Sequence, residues 1–542
     1  MMTAGNSLSK KQVVISMIGI MLALFLSSME QTIVGTAMPQ IITSLGGFEH
    51  YTWVTTAYLM ASTSAMIISG RLSDIYGRRL FLIIGSTIFV IGSFTCGHAD
   101  SMGFLIFSRA MQGIGGGMLM GMAFTTVADL FPPQKRGRFM GFLSAMFGLS
   151  AIFGPTLGGW ITDNFDWSWV FYINVPLGLV VVAIMLFAFP SLKPARKSKP
   201  DILGLALLAS FIVCFVLGLT WGGSQYAWNS PQIIGLLSAS ALILAIFIWL
   251  QSRIKDPTMH LSMFKSRVFT PAAIATFIQG IGMFSAIIFV PLYFQGVFGS
   301  TATTSGNFLT PMMLANVCTS AFIGILLSRL PFFRAIGTAG ILFLLIGLLL
   351  LSSMSPATPY GLAVLYIVVT GIGIGSMMPI FSLSMQNAVP HRMVGMATST
   401  NGFMRTMGGA VGLAIGGSAL STNLAPNIFK AVPDYIVNAL PPGFIDKIAQ
   451  NPQALFSQTM QEQILQVFTM FGENQDAYFE LFISGIRQGL SQTINTIFII
   501  AALVFLVALV ATFFLDDKSL RKAFKKHPET TPAEPIVFEE YD

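Results

Sequence analysis

Residues 70–79 read Gly-Arg-Leu-Ser-Asp-Ile-Tyr-Gly-Arg-Arg, a short polar stretch that lies between two long apolar segments. Three of its ten residues are arginines. The flanking segments, 51–70 and 80–97, have about the 20 residues that an apolar helix needs to cross a bilayer. We therefore interpret 70–79 as a loop that joins two transmembrane helices.

The same alternation of apolar segments and short polar loops continues along the chain of 542 residues. The predicted spans are 13–36, 51–70, 80–97, 103–126, 138–160, 169–189, 202–220, 232–250, 270–296, 305–328, 336–352, 360–381, 394–419 and 490–514. Only 9% of the residues are charged and the mean hydropathy is +0.75, whereas soluble proteins carry about 25% charged residues. The sequence thus predicts an all-α polytopic membrane protein with fourteen spans and no separate catalytic domain.

Basic residues collect in every second loop of this pattern. Of the 29 Lys and Arg residues, 24 lie before the first span or directly after an even-numbered span. Because positive loops stay on the cytoplasmic side, we expect a multi-pass protein of a bacterial-type plasma membrane with both termini in the cytoplasm. The other five are Arg109 and Arg405 inside spans, and Lys430, Lys447 and Arg487 in a long loop. The net charge of +7 is then a signal of topology and not a nucleic-acid footprint.

The long loop, 421–488, is predicted to lie on the extracytoplasmic face. Within it, Gly443–Gln450 and Met460–Met470 have the pattern of short amphipathic helices. The loop is either a passive cap on the mouth of the protein or a contact for substrate or partner.

A weak internal repeat indicates how the spans are grouped. Gln112–Gly117 in span four resembles Thr370–Gly375 in span twelve, at an offset of 258 residues. A shift of eight helices fits two six-helix bundles with an inserted helix pair, an arrangement that encloses a central cavity. The predicted units are a first bundle at 1–190, the inserted pair with its linkers at 191–268, a second bundle at 269–515 and a disordered tail at 516–542. The alternative is a chance likeness, because small residues are favoured wherever helices pack in lipid.

Three charged residues lie well inside spans: Glu30, Arg109 and Arg405. Each costs several kcal/mol at that depth, so each is a candidate for function. With a rise of 1.5 Å per residue, Glu30 lies about 25 Å into span one and Arg109 about 9 Å from the outer end of span four. The two therefore share a level in the outer half of the membrane. Arg405 lies about 17 Å into span thirteen, near the midplane.

Glu30 is the candidate for proton coupling, with Arg109 beside it. A buried carboxylate is favoured as a neutral acid by desolvation and as an anion by a nearby cation, so it can exchange a proton for a cationic substrate. The alternative is a static Glu30–Arg109 ion pair that locks two helices. The predicted substrate cavity contains Glu30, Gln112, Asn174, Asn401 and Arg405. Asn401 and Arg405 share a helix face, which either binds substrate or closes the cavity.

The loop 70–79 closely resembles the signature loop of the major facilitator superfamily. This resemblance implies a conformational latch on the cytoplasmic side that consists of Gly70, Asp74, Gly77, Arg78 and Arg79. Leu105–Gly117, which contains Arg109 and Gln112, is similar to the span-four motif that the family links to proton transfer.

Two further segments resemble one subfamily, the fourteen-span drug:proton antiporters. Met29–Val34 looks like its Leu-Asp-x-Thr-Ile-Val segment with Glu30 in place of Asp, and Trp167–Pro176, which contains Asn174, is similar to the segment that opens span six. The span-five motif associated with antiporters is matched by Gly148, Gly154, Pro155, Gly158 and Gly159. These glycines permit close helix contact and a hinge beside the proline.

The resemblance implies the major facilitator fold and a proton-coupled antiporter that exports hydrophobic or monocationic drugs and amphiphiles by alternating access. Its partners would be small amphiphilic substrates, protons and the lipid bilayer, with no nucleic acid, no cofactor and no metal, and the protein would act as a monomer. The alternative function is export of a lipid or glycolipid on the same fold. An enzyme is not expected, because the five histidines lie away from the span centres and the sequence has no nucleotide-binding loop.

Overall fold

The computed structural model describes residues 10–47, 50–130, 133–190, 201–223, 225–254, 257–329, 332–390, 393–441, 444–445, 465, 467–468 and 475–517. Fourteen long helices follow one another in this part of the chain. They are α1 Lys10–Leu45, α2 Trp53–Tyr76, α3 Arg78–Gly97, α4 Met102–Leu130, α5 Pro133–Asn164, α6 Trp169–Phe187, α7 Ile202–Trp221, α8 Pro231–Arg253, α9 Phe269–Gly296, α10 Ala302–Arg329, α11 Phe333–Ser352, α12 Tyr360–Asn387, α13 Val394–Ala431 and α14 Gln475–Phe513. The prediction of an all-α protein with fourteen spans is confirmed.

Ten of these helices are long and apolar enough to cross a membrane by length and composition alone. The other four, α2, α4, α5 and α13, are rich in Gly, Ser and Thr. Small residues let helix backbones approach closely inside a bundle, where lipid contact no longer demands a fully apolar surface. The multi-pass membrane architecture therefore contains helices of two kinds, ten that are apolar along a whole span and four that are rich in small and polar residues.

The helices pair in a pattern that recurs after a shift of eight. In the first bundle α4 packs on α2 and α3, α1 packs on α5, and α3 packs on α6. In the second bundle α12 packs on α10 and α11, α9 packs on α13, and α11 packs on α14. The remaining two helices, α7 and α8, pack on each other. This is the predicted fold of two six-helix bundles with an inserted helix pair.

The glycine repeat has a structural cause in both bundles. A methyl group on Gly113 or Gly117 would collide with carbonyl oxygens of α2, and one on Gly115 would collide with the backbone of α3. The glycines 258 residues later stand in the same relation to α10 and α11. The likeness between spans four and twelve therefore reflects equivalent close packing, which only glycine permits at these positions.

Two helices differ from the predicted spans because they extend beyond the membrane. α13 ends at Ala431 and α14 begins at Gln475, well inside the predicted loop 421–488. With 38 residues, α13 is about 57 Å long, whereas the hydrocarbon core is about 30 Å thick. The apolar pattern marks where a helix leaves lipid, and polar residues then continue the same helix in water. The extensions pack together, since a methyl group on Gly489 of α14 would lie 2.8 Å from the backbone of Ile428 on α13.

Most of the two predicted amphipathic helices, Gly443–Gln450 and Met460–Met470, lies outside the described residues, as does the tail from residue 518 onward. A short helix, Asp434–Ala439, follows α13 directly.

The two bundles meet along two seams, where α2 lies beside α13 and α5 lies beside α10. We call the end of the molecule at which α1 ends and α2 begins the distal end, and the opposite end the proximal end. Hydrogen bonds between the bundles cluster at the distal end. They run from Tyr51 to the carbonyl of Ile288 at 3.2 Å, from Gln295 to the carbonyl of Thr36 at 3.2 Å, and from the Thr303 amide to Asp163 at 2.7 Å. The bundles are therefore held together at this end.

Candidate functional site

Glu30 lies in the middle of a polar cluster inside the first bundle, with its side chain fully buried. Its Oε1 accepts a hydrogen bond from Arg109 Nη1 at 2.5 Å, which is also the ion pair of the site. Its Oε2 accepts a hydrogen bond from Asn174 Nδ2 at 2.6 Å. One carboxylate oxygen thus faces a cation and the other faces a neutral amide.

Arg109 is held by groups from three helices besides Glu30. Its Nε donates to the carbonyl of Val54 on α2 at 3.2 Å, and its Nη1 also donates to Gln112 Oε1 at 2.6 Å. The guanidinium carbon lies 4.4 Å from the ring centre of Tyr58 and 5.7 Å from that of Phe171. A ring face attracts a cation, most strongly where water is excluded. The arginine therefore has partners that do not depend on the carboxylate.

Gln112 connects this cluster to α3. Its Nε2 donates to Ser93 Oγ at 2.8 Å, and Cys96 Sγ lies 3.7 Å from its Oε1. Sequence reasoning missed Tyr58, Ser93 and Cys96 as members of the cluster. The available signal was helical spacing, because Ser93 and Cys96 are three residues apart and share a face.

The position of Asn174 follows from a break in α6. The helix consists of two pieces, Trp169–Tyr172 and Asn174–Phe187. Pro176 has no N–H to donate to the carbonyl four residues earlier, so the helical ladder is interrupted at this point. Asn174 begins the second piece and projects its amide to Glu30.

The cluster can hold Glu30 in either protonation state. Among the described residues, two fully buried atoms of the cluster have no hydrogen-bond partner, Arg109 Nη2 and Asn174 Oδ1. The amide of Asn174 donates through Nδ2 to the carboxylate, and a half-turn about its last bond would present Oδ1 as an acceptor to a protonated Oε2. Proton exchange on Oε2 is therefore chemically feasible while Arg109 remains on Oε1.

The structure joins Glu30, Arg109, Gln112 and Asn174, and it places the other two predicted cavity residues in the second bundle. Asn401 on α13 donates to Thr276 Oγ1 at 3.3 Å and to Met385 Sδ at 3.4 Å. Arg405 is half-buried, and its carbonyl lies directly against Gly280 of α9. Asn401 and Arg405 therefore lie on the opposite side of the bundle interface from Glu30.

The predicted antiporter motif on α5 packs against the helix that carries Glu30. A methyl group on Gly154 would collide with Thr32 Oγ1, and one on Gly158 would lie 2.5 Å from Thr36 Oγ1. Gly159 is buried, and its carbonyl accepts from Thr162 at 3.0 Å.

The same motif also contacts the second bundle. A methyl group on Gly148 would lie 3.0 Å from Val317 of α10, and the carbonyl of Pro155 faces Gly306 of that helix. Thr156 Oγ1 and Thr310 Oγ1 are 2.8 Å apart. α5 therefore packs against both the helix that carries Glu30 and the second bundle.

The predicted latch residues, Gly70, Asp74, Gly77, Arg78 and Arg79, lie at the proximal end. Gly77, with φ of 99°, joins α2 to α3 in a conformation that favours glycine. Arg78 is buried and donates to Thr125 Oγ1 of α4 at 2.8 Å, and Arg79 donates to a backbone carbonyl of α6. The side chain of Asp74 lies outside the described residues. The two arginines thus tie α3 to its neighbours within the first bundle.

Comparisons with known proteins agree with this architecture. The family model of the Major Facilitator Superfamily matches residues 20–413. The chain is 36% identical over 519 residues to multidrug resistance protein 3 of Bacillus subtilis (strain 168), which covers 96% of this chain and 98% of that protein. It is 35% identical over 526 residues to the multidrug transporter protein MdtP of the same organism, with 94% of each chain covered. Among solved structures, a bacterial homolog of the human lysosomal transporter Spinster, in an inward-facing and unoccupied conformation, superposes with a TM-score of 0.62 at 15% identity, over 94% of this chain and 99% of that one.

Proposed function

Since this chain belongs to the major facilitator superfamily, whose members are membrane transporters and not enzymes, we propose that it is a proton-coupled antiporter that exports hydrophobic or monocationic drugs and amphiphiles. Two relatives that align over nearly the whole chain are named as multidrug resistance or multidrug transport proteins, which supports drug export. The observation that carries the proton coupling is the buried carboxylate of Glu30, whose two oxygens have different and replaceable partners.

Protonation of Glu30 changes the charge of the site without dismantling it. Deprotonated, the pair Glu30–Arg109 is neutral; protonated, the site carries one positive charge that Gln112, Val54 and the Tyr58 ring still stabilise. For a monocation held about 8 Å away, an effective dielectric constant of about 20 gives a repulsion of about 2 kcal/mol, or about thirtyfold in affinity. The proton and a cationic substrate therefore exclude each other through charge, and the substrate does not have to contact Glu30.

The change at Glu30 reaches the second bundle through α5. Thr32 and Thr36 of α1 lie against the glycines of α5, and α5 contacts α10 through Thr156 and Thr310. A shift of α1 is thus passed to the seam along which the bundles rock. In this scheme the distal end faces outward, and the latch residues and both chain termini face the cytoplasm.

The function is tested by proton release from everted membrane vesicles. A pH-gradient dye is read while tetraphenylphosphonium is added to vesicles that contain the native chain, Glu30→Gln or Glu480→Gln. Glu480 lies exposed at the start of α14, so it is the control with the same chemical change. We expect dye dequenching with the native chain and with Glu480→Gln, and none with Glu30→Gln.

Other outcomes separate the parts of the proposal. Dequenching that survives in Glu30→Gln would leave antiport standing and remove Glu30 from the coupling. No response of correctly inserted native protein to cationic or neutral drugs would contradict drug antiport, and lipid or glycolipid export would replace it.

A further inference from the structure

The inserted helices α7 and α8 lie beside the seam between α2 and α13. α7 packs against α8, α13 and α2, so it spans both bundles at this seam. α8 packs mainly on α7 and exposes large apolar side chains such as Leu242 and Trp249, which are 62% and 60% exposed. If the bundles rock against each other, the pair cannot keep all of these contacts and must move with one of them.

The distal end of α7 is hydrogen-bonded to the second bundle. Ser418 Oγ donates to the carbonyl of Gly222 at 2.5 Å, and Thr422 Oγ1 donates to the carbonyl of Gly223 at 2.7 Å. Both donors lie on α13 and both acceptors directly follow α7. A hydrogen bond is directional, so these two bonds fix the geometry of the contact.

At the proximal end, a buried carboxylate joins α7, α8 and the linker to α9. Asp201 precedes α7 and accepts hydrogen bonds from Gln251 Nε2 at 2.5 Å, Thr258 Oγ1 at 3.0 Å and the Gly204 amide at 2.8 Å. Burial raises the pKa of this carboxyl, but the hydrogen bonds from Gln251, Gly204 and Thr258 outweigh it and hold the pKa below its ordinary value. The Met259 amide donates to Gln251 Oε1 at 3.2 Å.

The linker continues this attachment to the second bundle. The amide of His260 lies 3.5 Å from Met396 Sδ, near the start of α13, and the linker then enters α9. The inserted pair is therefore tied to the second bundle at both of its ends.

The inserted pair contacts the first bundle through aromatic side chains. The rings of Trp221 on α7 and Trp53 on α2 are 6.4 Å apart with an angle of 46° between their planes. Aromatic rings attract each other in several relative orientations, both offset-stacked and edge-to-face. The ring contact itself can slide without the loss of a directed bond.

We propose that the inserted pair is carried by the second bundle as one rigid unit and slides along α2 when the bundles rock. The pair then covers the α2–α13 seam and moves together with the second bundle. The inference rests on the proposed function, because it presumes that transport moves the bundles relative to each other.

Cross-linking across the two surfaces of α7 tests this inference. Two double cysteine variants are joined with a reductant-cleavable bifunctional methanethiosulfonate, and efflux of a fluorescent cationic dye from cells is measured. Gln225→Cys with Thr422→Cys links the exposed end of α7 to α13, and Trp53→Cys with Trp221→Cys links α7 to α2. We expect the first link to leave efflux within twofold, and the second to lower it at least tenfold until reductant is added.

The background and controls isolate the effect of the link. Cys214 and Cys318 are replaced by alanine, whereas Cys96 is kept because its thiol is fully buried. Each single cysteine variant is treated with the same reagent. If the α7–α13 link blocks efflux and the α7–α2 link does not, the pair travels with the first bundle. If both links block efflux or neither does, the sliding surface is not at α2, and the inference is wrong in either case.

Spin-label distances test the inference without a transport assay. Labels on Gln225 and Thr422 should keep one narrow distance with and without tetraphenylphosphonium, whereas labels on Gln225 and the exposed Asp100 of the first bundle should change distance. A broadened or shifted Gln225–Thr422 distance would contradict the inference. Native protein that exports no dye would instead count against the proposed function.

Discussion

Removal of Arg109 alone should destabilise the protein more than removal of the whole Glu30–Arg109 pair. Loss of one partner of a buried ion pair costs about 3–5 kcal/mol, because the other charge stays buried without compensation. We expect a loss near the lower end of this range for Arg109→Gln, because the Glu30 carboxyl can take up a proton and keep the Asn174 amide as its partner. For Glu30→Gln the loss should be about 2–3 kcal/mol, since the Tyr58 ring stabilises the remaining cation by up to about 2 kcal/mol.

The double variant Glu30→Gln with Arg109→Gln buries no charge, and its two amides can bond to each other. We expect it to lose only about 1–2 kcal/mol, the magnitude of an imperfect hydrogen-bond exchange. It should therefore be more stable than Arg109→Gln by about 1–2 kcal/mol. The losses of the two single variants should then not add in the double variant. Denaturant titration of the purified proteins in mixed micelles at pH 7 measures all four free energies of unfolding.

Glu480→Gln is the control for a carboxylate that makes no buried pair, and it should change the free energy of unfolding by less than about 0.5 kcal/mol. If the two single losses simply add in the double variant, within about 0.5 kcal/mol, Glu30 and Arg109 do not form an ion pair in the folded protein. Protonation of Glu30 would then not alter the charge around Arg109, and the proton and a cationic substrate would not exclude each other through this pair.

Gly117→Ala and Gly375→Ala should each lower the free energy of unfolding by about 1–3 kcal/mol, because a methyl group there collides with a backbone carbonyl of the neighbouring helix. Gly324→Ala, where no atom lies within 4 Å of the new methyl group, should be neutral or stabilise α10 by up to about 1 kcal/mol in the same titration. Asp201→Ala should cost about 2–4 kcal/mol at pH 7, because it leaves buried donors unpaired. The pKa of Asp201 is lower in the folded protein than in the unfolded chain, where it is about 3.9. The stabilisation by its carboxylate is therefore complete above about pH 3.9 and is lost as the pH falls through the lowered value. The difference in free energy of unfolding between the native chain and Asp201→Ala should shrink in acid.

The number and order of the helices were predictable because each depends on local sequence. An apolar run of bilayer length and a basic loop are recognised without knowledge of any neighbour. The bounds of α13 and α14 were not predictable in this way, since hydropathy reports where a helix leaves lipid and not where it ends. The break in α6 was encoded by Pro176, but its consequence, an amide aimed at Glu30, depends on how α6 packs on α1.

The cluster around Glu30 was predictable only in part, for a similar reason. Depth in the membrane follows from helix rise, and it placed Glu30 and Arg109 on one level, where the structure brings them into contact. Rotation of a helix about its axis does not follow from depth, and it decides that Tyr58 and Ser93 face Arg109 and Gln112. Neutral polar residues are common in these spans, so Tyr58 and Ser93 did not stand out in the sequence. The same limit applies to Asn401, whose contacts with α9 and α12 of the second bundle do not follow from its depth.

The two bundles share a packing design and differ in charge, and this difference bears on mechanism. The positions 258 residues after Arg109 and Gln112 are occupied by Ile367 and Thr370, on a helix whose glycines pack against the equivalent neighbours as those of α4 do. A charge inside a membrane costs several kcal/mol, so it persists only where it has a use. Glycine packing is needed in both bundles, because both must present close and rigid helices to the rocking interface. One proton-binding group is sufficient, because a change in one bundle moves that bundle relative to the other. We therefore expect proton exchange to be confined to the first bundle, because Arg405, the charged residue inside a span of the second bundle, is a guanidinium that keeps its proton.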